Sequence, residues 1–153
     1  MAHTLQRWTV GWFVLCVLLA LHIAEEAASG DYRAYGQSLG LLRDLFPQLP
    51  IPQFKFTVWL VDISGAIIVL FLLTGLVHRN YQIMRPASYA LATFTTSNAM
   101  LHILLSLASD QVLAGTLTSL PLLAASLFLF LSIPRTEHTN ARAPAPAVFS
   151  GLR

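Results

Sequence analysis

Four long apolar stretches divide the chain, and they occupy residues 8–28, 57–77, 87–108 and 112–133. Each is close to the roughly 20 residues that a helix needs to cross a hydrocarbon core about 30 Å thick. Lipid offers the backbone no hydrogen-bonding partners, so segments of this kind fold as helices. The pattern therefore predicts an all-α fold, a four-helix transmembrane bundle formed by residues 1–134.

The connection between the first two spans, residues 29–56, is long for a small bundle. Its first half has apolar residues spaced four, three and four positions apart, at Tyr35, Leu39, Leu42 and Phe46. This spacing places them on one face of a helix. A helix with a single apolar face is suited to the membrane surface, so we predict an interfacial amphipathic segment between helices one and two.

Composition agrees with a membrane location. Hydrophobic residues make up 56% of the chain and charged residues only 10%, whereas soluble domains carry about 25% charged residues. Six of the nine Lys and Arg residues lie in the amino terminus, the second loop and the tail. The positive-inside rule therefore predicts that both termini are cytoplasmic.

The residue pattern also predicts the character of the two ends of the chain. Residues 135–153 are polar with alternating Pro and Ala, which predicts a disordered cytoplasmic tail. The first apolar stretch has the length of a signal peptide. Glu25 and Glu26 stand where a cleavage site needs small neutral residues, so we expect the stretch to remain as a span.

No block of Lys and Arg resembles a nucleic-acid-binding surface, so no nucleic-acid partner is expected. Membrane lipid is the expected surrounding, and the sequence specifies no protein partner or oligomeric state.

Polar residues in the first three spans fall at one depth. His22 lies about six residues before the end of the first span, and His102 lies the same distance before the end of the third. Asp62 lies about five residues after the start of the second span, which runs the opposite way. At 1.5 Å per residue, each is roughly 8 to 9 Å inside the same non-cytoplasmic boundary.

The same residues also share helix faces. Glu25 and Glu26 follow His22 at i+3 and i+4, and Asn98 precedes His102 by four positions. Ionisable side chains are costly against lipid, so both faces should point into the bundle. Two histidines and three carboxylates suit a divalent transition metal, namely zinc, iron or manganese. We predict that the metal ligands are His22, Glu25 and His102. The predicted catalytic groups are Glu26 and Asp62. Asn98 is predicted to be a hydrogen-bonding neighbour of the ligands.

The motif His22-Ile23-Ala24-Glu25-Glu26, near the end of the first span, resembles the signature of the HXXEE domain family. Asn98 and His102 in the third span and Pro121 in the fourth extend the resemblance over about residues 8–133. It implies a small four-span bacterial membrane protein, and hence the inner membrane, with a metal-binding or enzymatic role. The family brings no established activity.

Three functions stay open at this point. The first is a metal-dependent hydrolase or oxidoreductase acting within the membrane on an apolar or lipid-like small molecule. The second is a metal-free acid–base isomerase or cyclase, in which a protonated glutamate supplies the proton. The third is a non-enzymatic membrane metal-binding or assembly protein. Simpler interpretations also exist. Glu26 and Asp62 could be the hydrated ends of their helices. The three tryptophans could anchor the chain at the lipid interface, at Trp8, Trp12 and Trp59.

Overall fold

The computed structural model of the chain describes residues 2–30, 32–50, 53, 55–110 and 115–134. Within these residues it contains five helices and no strand, so the all-α prediction is confirmed. The helices are α1 (Ala2–Ser29), α2 (Tyr32–Leu45), α3 (Phe56–His78), α4 (Met84–Ser109) and α5 (Thr116–Ser132). The predicted tail and residues 112–114 of the predicted fourth span lie outside the described residues.

Three of the helices, α1, α3 and α4, are long and apolar enough to cross a membrane, judged by length and composition. They contain the first three predicted spans and extend each of them by one to six residues at the ends. The fourth apolar helix, α5, has 17 residues and continues through Pro121. At 1.5 Å per residue it is roughly 26 Å long, somewhat shorter than a hydrocarbon core.

The centre of the bundle is formed by α1, α4 and α5. Helix α5 packs against both α1 and α4, whereas α3 packs mainly on α1. Gly11 allows the close approach of α5, because a Cβ atom added there would lie 3.3 Å from the Cα of Leu129. Only Ile67 and Val77 are buried on α3. This helix is therefore peripheral, and most of its apolar surface is available to lipid.

Two tryptophans connect the helices through their indole N–H groups. Trp8 donates to Ser88 Oγ on α4 at 2.9 Å, and Trp12 donates to the carbonyl oxygen of Leu70 on α3 at 2.9 Å. Both side chains are buried. They pack the interior of the bundle and do not face outward at the lipid interface, contrary to the simpler interpretation of the sequence.

Removing the Ser88 hydroxyl is expected to destabilise the bundle modestly. Ser88→Ala leaves the buried indole N–H of Trp8 without its acceptor, and interhelical hydrogen bonds in membranes contribute roughly 0.6 to 2 kcal/mol. The free energy of reversible unfolding in mixed micelles measures this loss of stability. Ser64→Ala, at an exposed position on α3, is the matched control and should leave the unfolding free energy unchanged. Equal stability of the two variants would contradict the assigned hydrogen bond.

Candidate metal centre

Three side chains from two helices form one cluster. His22 and Glu26 come from α1 and His102 from α4, and one ligand atom from each lies within 4.8 Å of the others. Glu26 Oε1 is 2.9 Å from His102 Nε2 and 3.5 Å from His22 Nε2. The side chains of His22 and Glu26 are 0% and 1% exposed, and that of His102 is 16% exposed.

Two of the three distances between ligand atoms suit a single metal ion. Ligand atoms about 2.0 to 2.1 Å from a tetrahedral zinc are roughly 3.3 Å apart. The two N–O distances in the cluster, 2.9 and 3.5 Å, lie on either side of this value. Only movements of a few tenths of an ångström, typical of side-chain adjustment, would be needed for these contacts. Two imidazoles and a carboxylate are also a donor set that zinc, iron and manganese accept.

The helices bring these residues together for a simple reason. His22 and Glu26 are one turn apart on the same face of α1. Trp8 contacts Ser88, and farther along both helices His22 contacts Asn98, so α1 and α4 run parallel. His22 and His102 then reach the same level because each lies seven residues before the end of its helix. The prediction from depth placed both histidines in this layer.

The two imidazole rings meet edge to face, with centroids 4.9 Å apart and planes at 88°. Gly115, the residue before α5, packs directly against them. A Cβ atom at this position would lie 2.9 Å from His102 Nδ1 and 3.0 Å from His22 Cε1. Its φ of 80° also favours glycine. The backbone at Gly115 therefore forms a wall of the cluster that leaves no room for a side chain.

Glu25 lies next to the cluster but contacts a different partner. Its Oε2 accepts hydrogen bonds from Thr118 Oγ1 at 2.6 Å and from the Thr118 backbone N–H at 3.1 Å. Helix α5 has no capping side chain of its own at Gly115, so the carboxylate caps it from α1. Negative charge is favourable at a helix amino terminus. The structure thus places Glu26, and not Glu25, with the two histidines.

Asn98 and Asp62 also have defined positions. The Asn98 amide lies on the cluster, with Nδ2 2.9 Å from His22 Nε2, as expected of a hydrogen-bonding neighbour. Asp62 is exposed on α3 and is not one of the three clustered residues. Depth arithmetic fixes the height of a residue along its helix and not the direction in which it points. Because α3 is apolar on nearly every side, its residue pattern contains no independent evidence for the rotation of this helix about its axis.

Two residues of the site were missed by the sequence argument, Gly115 and Thr118. Both belong to the start of the fourth apolar stretch, which has no charged residue, so a search restricted to ionisable groups passes over it. A usable signal was present, because Thr116, Thr118 and Ser119 follow Gly115 at the end of the span that adjoins the polar layer. Applying the depth argument to hydroxyl groups, as well as to ionisable ones, would have included Thr118.

Comparisons of the chain with protein-family models, with curated proteins and with solved structures give no match. The resemblance to the HXXEE family therefore stays a prediction. Since a fold alone does not define a function, the functional argument rests on the chemistry of the site.

Proposed function

We propose that this protein is an integral membrane metalloenzyme that acts on an apolar or lipid-like small molecule. The observation that carries the proposal is the His22–Glu26–His102 cluster, whose ligand atoms lie within 4.8 Å of one another. Ionisable groups inside a membrane segment are rare and usually functional. Three protein ligands are typical of a catalytic metal site, because one position stays open for substrate or water, whereas structural zinc sites use four.

The donor set narrows the choice of metal. Two histidines with one glutamate hold catalytic zinc, and two histidines with one carboxylate hold non-haem iron. A bound metal would act as a Lewis acid toward substrate or water, or, with iron, would activate oxygen. The protein itself supplies the ligands, fixes their spacing through α1 and α4, and surrounds them with the buried interface of α1, α4 and α5. Zinc and iron, with manganese as a third choice, are the metals to test.

The surroundings of His102 support an apolar substrate. His102 is the most exposed of the three clustered side chains, so it marks the accessible side of the site. Its neighbours on the α4 surface, Leu101 and Leu105, are large exposed apolar residues. A molecule that approaches along this surface meets hydrocarbon before it meets the polar cluster. Such a path favours lipid-like molecules and excludes strongly hydrated ones.

The membrane arrangement that fits the proposal has four spans, with α5 as the fourth and α2 at the interface. Helix α5 supports this because it is apolar and packs along α1 and α4. Exposed leucines on α2, at positions 41, 42 and 45, support an interfacial position. In this arrangement both termini are cytoplasmic, the metal centre lies toward the other side of the membrane, and the bacterial inner membrane implied by the HXXEE resemblance is the host membrane.

Loss of the Glu26 carboxylate is expected to remove metal binding. Glu26 Oε1 is the atom that lies close to both His102 Nε2 and His22 Nε2, and the amide of Glu26→Gln is a much poorer ligand. The test is metal content and Zn²⁺ affinity of the purified full-length chain in lipid nanodiscs. Asp62→Asn is the matched control, because it neutralises an exposed carboxylate outside the cluster. One metal per chain in the wild type and in Asp62→Asn, with none in Glu26→Gln, supports the centre. Equal metal content in all three contradicts it.

A metal-free acid–base site is the second candidate, and one observation favours it. The Asn98 amide already occupies His22 Nε2 at 2.9 Å, and Glu26 pairs with His102 at 2.9 Å. Without a metal, the His102–Glu26 pair could move a proton to or from a substrate double bond. Wild-type protein that binds no transition metal, yet loses turnover of a lipid-like substrate in Glu26→Gln, would favour this function over the metalloenzyme. A non-enzymatic metal-binding role would instead give metal binding without turnover.

A further inference from the structure

A chain of hydrogen bonds connects Glu25 to His22 through a residue of α5. Thr118 Oγ1 lies 2.6 Å from Glu25 Oε2 and 2.8 Å from His22 Nδ1. The other ring nitrogen of His22, Nε2, faces Glu26 and Asn98. The imidazole is therefore held between a polar partner on α5 and the proposed metal site.

The proton positions in this chain follow from the Glu25 end. Glu25 Oε2 also accepts the Thr118 backbone N–H at 3.1 Å, so this oxygen is an acceptor. The Thr118 hydroxyl has one proton, and the short contact of 2.6 Å assigns it to Glu25. Its alternative acceptor, the Gly115 carbonyl oxygen, is farther away at 3.3 Å. The Thr118 oxygen is then left to accept, and His22 Nδ1 must donate to it.

The consequence is a fixed tautomer for His22. With the proton on Nδ1, the lone pair lies on Nε2, which is the nitrogen that faces Glu26 Oε1. The Asn98 contact agrees, since an amide N–H donates to an unprotonated Nε2. Histidines that bind metals usually donate their other ring N–H to a carboxylate, a carbonyl or water. Here the carboxylate of Glu25 acts one hydroxyl group away, through Thr118.

We infer that Thr118 and Glu25 are positioning residues that keep His22 in the Nδ1–H tautomer, so that Nε2, the ring nitrogen near Glu26, is unprotonated and can bind a metal when the Asn98 amide moves aside. This inference rests on the proposed function as far as metal binding is concerned. The tautomer itself does not depend on any metal. The adjacent acids of the motif then have different roles, because Glu26 would bind the metal and Glu25 would orient His22.

The first test reads the tautomer in metal-free protein. Full-length chain with ¹⁵N-labelled imidazole rings is reconstituted in nanodiscs, and the His22 signals are assigned by their loss in His22→Gln. The expected wild-type spectrum has the proton on Nδ1, and Thr118→Val shifts the population toward the Nε2–H form. Thr118→Ser, which restores the hydroxyl, should restore the wild-type spectrum. A wild-type His22 that carries its proton on Nε2, or on both nitrogens, overturns the inference whether or not metal binds.

The second test measures Zn²⁺ affinity by competition with a chromophoric chelator. Loss of such supporting partners weakens metal binding about 10- to 100-fold, so Thr118→Val should show this loss and Thr118→Ser should stay within about 3-fold of wild type. The control is Thr95→Val, because Thr95 is another buried threonine that bonds across α4 and α5, to Ser126 Oγ at 2.7 Å. Thr95→Val should keep wild-type affinity.

The outcomes separate the inference from the proposed function. Equal loss of affinity in Thr118→Val and Thr95→Val indicates general loosening of the α4–α5 interface and overturns the positioning role. Another outcome is that Thr118→Val changes the His22 tautomer as expected while neither wild type nor any variant binds metal. In that case the positioning role stands and the metalloenzyme proposal fails. Loss of affinity in Thr118→Val with an unchanged His22 tautomer also overturns the inference, because the effect would then not act through the ring.

Discussion

Gly115→Ala is expected to abolish metal binding and to destabilise the protein. A side chain at φ 80° is strained, and left-handed backbone costs a residue with a Cβ roughly 1 to 2 kcal/mol. The added methyl group would also lie 2.9 Å from His102 Nδ1 and Cε1, closer than nonbonded atoms pack. One or both imidazole rings must then move, and with them the nitrogen atoms that define the site.

The measurement is Zn²⁺ affinity together with unfolding in mixed micelles. Gly65→Ala is the matched control, because a Cβ at Gly65 meets no atom within 4 Å and Gly65 lies inside helix α3. Alanine is favoured over glycine in a helix interior by about 1 kcal/mol, so this variant should bind Zn²⁺ normally and be at least as stable as wild type. A Gly115→Ala protein with wild-type affinity and stability would show that the backbone does not approach the two rings as closely as described.

His102→Ala is expected to weaken Zn²⁺ binding by about two orders of magnitude or more. Structural zinc sites with four ligands bind with about 10 to 16 kcal/mol, which is roughly 3 kcal/mol for each ligand, and every 1.4 kcal/mol is about tenfold in affinity. His102 is also the partner of Glu26 at 2.9 Å, so the variant removes one ligand and leaves the carboxylate less well placed. Helix content should change little, because a single partly exposed side chain is lost.

The control for His102 is His78→Ala, since His78 is exposed at the last position of α3. Both variants are compared by isothermal titration with Zn²⁺ and by circular dichroism. Normal affinity in His78→Ala and strongly reduced affinity in His102→Ala, with similar helix content, supports His102 as a ligand. Equal affinities would remove His102 from the site and leave too few ligands for the proposed centre.

The depth of the site in the bundle could be predicted from the sequence, but the contacts between its individual side chains could not. His22 and His102 were placed together because helix rise converts position in a span into depth, and the structure confirms their proximity with ring centroids 4.9 Å apart. Glu25 and Glu26 could not be separated in this way. Adjacent residues differ by about 100° around a helix axis, since 3.6 residues make one turn, and only the positions of α4 and α5 determine which acid meets which partner.

The fold shows the same division. Apolar length predicted the helices α1, α3 and α4 closely, because a membrane imposes both length and composition on a span. The peripheral position of α3 could not be predicted, since its sequence is apolar on nearly every side and, apart from Asp62, carries no signal of a buried face. Asp62 illustrates the result, because its depth was right for the site while its side chain is exposed on the outer helix.

X-ray absorption of the metal-loaded, full-length protein tests the central claim most directly, because it identifies the metal and its ligand atoms together. If His22, Glu26 and His102 bind one ion, the spectrum will show a shell of nitrogen and oxygen atoms at about 2.0 to 2.2 Å with the outer-shell signals of two imidazoles, and Glu26→Gln will lose it. A sulfur shell at about 2.3 Å, or no metal edge above the level of Glu26→Gln, would contradict the claim.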